Sequence, residues 1–224
     1  MPLDYIEHLS TSNHAPESHI IWLHGLGDTG NGWLSAVQHL HPQKPTRFIL
    51  PHAPIKKITI NGGYAMPGWY DIASMDFRDR GDEPGIRESA HEIQNIIDSL
   101  VKQGILSHKI FIAGFSQGGA IALHTALRCP YKLGGILALS TYLPLQDVLP
   151  KEAHVANKEL PIAMMHGLYD NVIPLAIAEA SYAYLKQLGY KVEWKTYPMA
   201  HEASAIELND IEQWLNKQTY SITA

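Results

Sequence analysis

Apolar positions along the chain fall into short runs that alternate with helical patterns. His19–Leu23 is a compact apolar run and predicts a buried strand that opens into a Gly-rich turn. Trp33–Leu40 predicts a short helix, and Arg47–Leu50 a second strand closed by Pro51. Residues 52–83 form a long Pro/Gly-rich stretch with weak periodicity, and a connection of that length inside a compact domain is usually functional. In 85–102, Ile86, Ala90, Ile93, Ile97 and Leu100 recur at helical spacing, with Pro84 in the first turn and Gly104 past the end. The pattern continues as a strand at Lys109–Ala113, a helix at 117–128 and a strand at Gly135–Ser140. An irregular excursion over 141–160 precedes a strand at Ile162–His166 and a helix at Leu175–Leu188. Val192–Tyr197 alternates as a last strand, and 203–216 closes the chain as a helix.

Strands that alternate with helices require crossover connections, so the expected fold is α/β, with a mostly parallel sheet and helices on both faces. No composition shift marks a boundary, and residues 1–224 are expected to form one domain.

Composition narrows the function classes. The chain has 224 residues and a formal charge of −5, with no Lys/Arg cluster larger than Lys56-Lys57. Nucleic acid is therefore not expected as a partner, nor is a polybasic membrane anchor. A single Cys excludes an internal disulfide and a Cys-rich zinc site. That residue, Cys129 before Pro130, is expected to be a small buried hydrophobe. The segment Met1–Ser12 lacks the basic and apolar regions of a secretory signal, and no apolar run is long enough to span a bilayer. A cytoplasmic protein is the default. The 13 His do not read as a metal signal. His39-Leu40-His41 falls at a helix end, and neither His91-Glu92 nor His201-Glu202 extends to H-E-x-x-H.

The sharpest local signal is Gly114-Phe115-Ser116-Gln117-Gly118, a G-x-S-x-G between a strand and a helix. Such a turn exposes the Ser hydroxyl, and side chains two residues before and after it would strike backbone. Gly119 and Ala120 let the new helix pack close to the sheet. Its N-terminus directs N–H groups at the reacting centre. A Ser nucleophile needs a base, and the base needs an acid to orient it. In proteins with this turn the order is Ser, then Asp or Glu, then His. Among His124, His154, His166 and His201, only His201 follows the last strand and the best acid. Asp170, just past the strand 162–166, is the expected acid; Asp147 is its rival.

A second Gly-rich turn spans residues 24–30 and contains a literal G-x-G-x-x-G at Gly25, Gly27 and Gly30. A dinucleotide site would place an acid about 20 residues on. Residues 47–52 hold none, and Asp28 would oppose a pyrophosphate. The turn is expected instead to supply the Leu26 N–H to an oxyanion hole, with the Gln117 N–H as its partner.

With these loops placed, the chain resembles the phospholipase/carboxylesterase family, which includes the acyl-protein thioesterases. The resemblance is carried by Trp22-Leu23-His24-Gly25-Leu26-Gly27-Asp28-Thr29-Gly30, by 114–119, by His166-Gly167 with Asp170, and by Tyr197-Pro198-Met199-Ala200-His201. Pro51-His52-Ala53-Pro54, Asn61, Gly63, Met66, Trp69-Tyr70-Asp71 and residues 139–144 also match. The resemblance implies an α/β-hydrolase fold without a separate lid domain. It implies a cofactor-free serine hydrolase with triad Ser116, Asp170 and His201, acting on small-molecule esters or lipids. Family members form dimers, so a homodimer stays open. The Tyr-Pro-Met-Ala-His stretch looks more like the bacterial carboxylesterase branch, and Tyr142 stands where many relatives carry Trp.

Met66, Trp69, Tyr142 and Leu143 either line an acyl pocket or pack long loops over the sheet. The expected activity is that of a carboxylesterase for short to medium acyl chains, working through an acyl-enzyme on Ser116. A thioesterase or lysophospholipase is the alternative, and a non-catalytic binding protein of the same fold is the alternative from another class.

Overall fold

The computed structural model describes residues 3–11, 13–74 and 81–221. Part of the 52–83 stretch, residues 75–80, lies outside them. The central sheet has seven strands in the order β1-β3-β2-β6-β7-β8-β9. They are β1 (Tyr5–Leu9), β2 (Ser18–Leu23), β3 (Thr46–Pro51), β6 (Ile110–Phe115), β7 (Gly135–Leu139), β8 (Ile162–Gly167) and β9 (Val192–Tyr197). All neighbours pair in parallel except β1, which runs antiparallel to β3. The remaining strands, β4 (Ile55–Ile58) and β5 (Tyr64–Pro67), form a separate antiparallel hairpin. The helices are α1 (Gly30–Gln38), α2 (Glu83–Lys102), α3 (Gln117–Arg128), the short α4 (Leu149–Glu152), α5 (Leu175–Gln187) and α6 (Ala205–Ser221).

Side chains alternate across each strand, so the sheet feeds two cores. Ile20, Trp22, Phe48, Phe111 and Met165 face α1 and α6, where they meet Trp33, Val37, Ile211 and Trp214. Ile21, Leu23, Ile112, Ile136 and Met164 face α2, α3 and α5. Buried on both faces, the central strands read as continuous apolar runs, which is why the sequence shows them clearly.

The sequence does not announce β1. It is an edge strand whose residues alternate between exposed and half-buried, with Glu7 and His8 at its centre. The β4–β5 hairpin was likewise expected only as irregular chain. It turns through Gly62 and Gly63, both at positive φ, and most of its side chains face out. In the 141–160 excursion, α4 is anchored by Glu152, which pairs with Arg87 of α2 and Arg128 of α3 at 2.7 Å each.

Glu207, in the first turn of α6, is fully buried, and neither carboxylate oxygen has a hydrogen-bond partner among the described residues. Burial, reinforced by the nearby Asp210 carboxylate, pushes its carboxyl up to about 8. The folded state thus holds a proton that the unfolded chain releases near its ordinary value. This contribution is fully present below that value and is lost as pH rises toward about 8. The stability of Glu207→Gln relative to wild type is expected to rise between pH 5 and pH 8, by up to about 1.4 kcal/mol per pH unit. Urea unfolding of both proteins across that range measures it; a pH-independent difference contradicts it.

Candidate active site

The sheet order places the two Gly-rich turns side by side. Chain order runs outward in one direction from β2 to β3 and in the other from β6 to β9, so the switch point lies between β2 and β6. Loops leaving the carboxyl ends of the strands at such a point bound a crevice. The register pairs Leu23 with Gly114 at the ends of β2 and β6. The 24–30 turn and the Ser116 turn therefore leave the sheet together.

Ser116 has φ 54° and ψ −120°, an unfavourable conformation for a side chain other than glycine. Its N–H donates to Leu139 O at 2.8 Å, and its carbonyl accepts from Thr141 Oγ1 at 2.7 Å. The strain is thus held by the neighbouring strand β7. The flanking glycines are required sterically. A Cβ at Gly114 would stand 2.3 Å from Gly118 O, and one at Gly118 would stand 2.4 Å from Leu23 O. At Gly119 it would meet Thr141 at 2.7 Å.

Asp170 follows β8, and His201 follows β9. The loop carrying His201 folds back over β8 because position 167 has no side chain: a Cβ at Gly167 would lie 2.3 Å from Ala200 O. Backbone bonds Leu168 N–H to Tyr197 O (2.8 Å) and Tyr169 N–H to Met199 O (3.0 Å) lock the fold-back. His201 Nε2 then lies 2.9 Å from Ser116 Oγ, and His201 Nδ1 lies 2.7 Å from Asp170 Oδ2. The other Asp170 oxygen accepts from the N–H groups of Val172 (2.9 Å) and Ile173 (2.8 Å). Phe115 packs its ring 4.8 Å from the imidazole.

The structure thus brings Ser116, His201 and Asp170 into one relay. The rival acid Asp147 is exposed beyond β7, and His124 is buried within α3. His154 accepts from Ala156 N–H at 3.2 Å. His166 comes within 3.4 Å of Asp170 Oδ2, but its Nε2–H donates to Ile173 O at 2.9 Å. Burial lowers its pKa, against the opposing pull of the Ile173 carbonyl and the Asp170 carboxylate. Leu26 and Gln117, the expected oxyanion donors, sit on the two adjoining turns, Gln117 as the first residue of α3.

A cavity of about 510 Å³ opens onto Ser116 and His201. Gly32, Trp33 and Ala36 of α1 form one wall, and Val172, Glu202 and Ala203 form another. None of the four residues considered for an acyl pocket is among its lining residues. Trp69 is fully buried, because its indole N–H finds a buried acceptor in His24 O at 2.8 Å. Leu143 packs in the core, with its N–H on Ser181 Oγ at 3.0 Å. The Tyr142 hydroxyl is held by that of Tyr70 at 2.8 Å. Met66 is half-buried, with its sulfur 3.5 Å from Asn61 Nδ2. The lining residues not foreseen carry a usable signal. Val172, Glu202 and Ala203 lie within two positions of the expected acid or base, and Gly32 and Ala36 share a helix face.

Cys129 is buried and its thiol pKa is raised by that burial.

The family profile described as Phospholipase/Carboxylesterase matches residues 6–219. An "Acyl-protein thioesterase 1" from Gibberella zeae is 43% identical over 213 residues, covering 89% of each chain. One of the same name from Neurospora crassa is 42% identical over 212 residues, covering 89% of this chain and 86% of that protein. The crystal structure of Zea mays acyl-protein thioesterase 2 superposes with a TM-score of 0.85 at 26% identity, over 96% of this chain and 99% of that one.

Proposed function

The chain belongs to the phospholipase/carboxylesterase family of α/β serine hydrolases, and from that premise we propose that it is an acyl-protein thioesterase. It is a hydrolase of ester or thioester bonds; the proposed substrate is an S-acylated cysteine in a protein or peptide. The hydrolytic chemistry rests on one observation, the Ser116–His201–Asp170 relay with contacts of 2.9 and 2.7 Å. The substrate is supported by the fungal relatives, which are matched over most of both chains. This replaces the short-chain carboxylesterase as the leading expectation. Leu168, Tyr169, Val172 and Ile206 also support it. These apolar side chains are exposed on the segments that carry the acid and base, where a lipid tail would approach. No helix among the described residues is long and apolar enough to cross a membrane.

In the proposed cycle, His201 Nε2 takes the Ser116 proton as Oγ attacks the thioester carbonyl. Asp170 accepts from Nδ1–H and stabilises the imidazolium. The N–H groups of Leu26 and Gln117 receive the oxyanion. The C–S bond breaks, the thiolate takes the proton from His201, and the acyl group stays on Ser116. Water then attacks the acyl-enzyme with His201 again as base, releasing the carboxylate and restoring the Ser hydroxyl. No step requires a cofactor.

The test is a rate series on S-acyl cysteine peptides and oxygen esters of increasing chain length, with fluorophosphonate labelling of Ser116. Turnover of the thioester peptides, with kcat/KM still rising beyond about ten carbons, is expected; each methylene buried in an apolar site contributes about 0.8 kcal/mol. A maximum at short chains with no turnover of S-acyl peptides would return the short-chain carboxylesterase. No label on Ser116 would remove the proposed nucleophile.

A further inference from the structure

The segment Pro67–Tyr70 makes hydrogen bonds to both turns that carry the proposed oxyanion donors. Toward the Leu26 turn, Gly27 N–H donates to Pro67 O at 2.8 Å, and the Trp69 indole N–H donates to His24 O at 2.8 Å. Leu26 lies between those two anchor points. Toward the Ser116 turn, the buried Gln117 amide spans Trp69 and Tyr70, bonding the peptide unit before Trp69 and the one after Tyr70. Its Oε1 accepts from Trp69 N–H at 2.8 Å, and its Nε2 donates to Tyr70 O at 2.6 Å. The segment has backing of its own: Ser89 Oγ donates to Trp69 O, and Gly68 N–H donates to Pro54 O at 3.0 Å. Contact is close, since a Cβ at Gly68 would lie 3.0 Å from the Leu26 side chain.

The same residues reach the nucleophile by a second route. The Tyr70 hydroxyl meets that of Tyr142 at 2.8 Å, and the adjoining Thr141 holds the Ser116 carbonyl at 2.7 Å. Hydrogen bonds and covalent links together therefore form a path around the turn. It runs from Gln117 to Tyr70, across to Tyr142 and back through Thr141 to Ser116. The two oxyanion donors belong to different strands' loops, and beyond the last register pair, Leu23 with Gly114, the 67–70 segment bonds to both.

We propose that Trp69 and the Gln117 side chain are positioning residues that set the separation between the Leu26 and Gln117 N–H groups. This rests on the hydrolase reading above, since it concerns the oxyanion of that reaction. Neither side chain touches the substrate. Each acts through the backbone donor it holds. The physical consequence is specific: an oxyanion exists in the transition state and not in the bound substrate, so a displaced donor lowers kcat and leaves KM nearly unchanged.

Two variants test this independently. Trp69→Phe keeps an aromatic ring in the buried site and deletes the N–H that holds His24 O. Gln117→Met keeps the side-chain length and deletes the bonds to Trp69 N–H and Tyr70 O. Active sites are counted by end-point fluorophosphonate labelling, so that misfolded protein is not scored as slow enzyme. Per labelled site, kcat is expected to fall between about 10- and 100-fold, with KM within about twofold. Affinity for a trifluoromethyl ketone, which binds as an oxyanion adduct, is expected to fall by the same factor as kcat. Unchanged kcat and ketone affinity per labelled site in both variants would overturn the proposal and leave Trp69 and Gln117 as packing residues. A rise in KM with ketone affinity preserved would overturn it as well. Failure of the wild-type protein to label or turn over would instead count against the hydrolase reading.

Discussion

Ser116→Ala is expected to lower kcat on a thioester or ester substrate by about 10⁴-fold or more while leaving the protein folded. The Oγ removed is the atom 2.9 Å from His201 Nε2, and no other hydroxyl is shown hydrogen-bonded to that nitrogen among the described residues. Without it no acyl-enzyme forms. The remaining oxyanion donors and binding surface sustain only a slow attack by water. The Ser116 backbone bonds to Leu139 and Thr141 do not use the side chain, so Ala leaves them in place. The measurement is steady-state kinetics with the variant's circular dichroism and unfolding curve compared with wild type. A folded Ser116→Ala protein keeping more than about 1% of kcat would contradict the proposed nucleophile.

Asp170→Asn is expected to cost about 10⁴-fold in kcat, for a reason that stability measurements should not detect. One Asp170 oxygen accepts from Val172 and Ile173 N–H, and an Asn carbonyl in that place would keep both bonds. The other position would then present an amide N–H to His201 Nδ1. The imidazole must turn its lone pair toward that donor, which puts its proton on Nε2, facing Ser116. A base in that tautomer cannot accept the hydroxyl proton. Asp147→Asn is the matched control, because Asp147 is exposed beyond β7 and is not part of the relay. Kinetics of the two variants side by side decide the assignment. A large loss in Asp147→Asn with little loss in Asp170→Asn would reverse it.

Both expectations show how far chemistry was readable before any fold was known. The candidate nucleophile is local: strand, G-x-S-x-G and helix are contiguous, and the glycines stand where backbone atoms come within 2.3–2.4 Å of any added Cβ. The candidate acid and base follow from chain order, because strands that follow one another in the sheet leave their loops along one edge. The burial of the long-loop apolar residues could not be read this way. Trp69 and Leu143 look in sequence like exposed loop apolars, and only the approach of His24 O and Ser181 Oγ shows that they are buried. The edge strand β1 was missed for the opposite reason. With one edge in water it lacks the apolar run that marks strands buried on both faces.

The sequence by itself therefore determined the six parallel strands of the central sheet, the turn at Ser116 and the residue types available for acid and base. These are properties of contiguous residues, set by side-chain periodicity and by where a Cβ can fit. Tertiary structure decided which of those residues meet. Gly167 lets the 198–201 backbone cross β8, and only that crossing brings His201 from the end of β9 to Ser116 on β6. It also decided that the 67–70 segment bonds to both the 24–30 turn and the Ser116 turn. Contacts of this kind depend on strand order and register, which join segments far apart in the chain and leave no periodic trace along it.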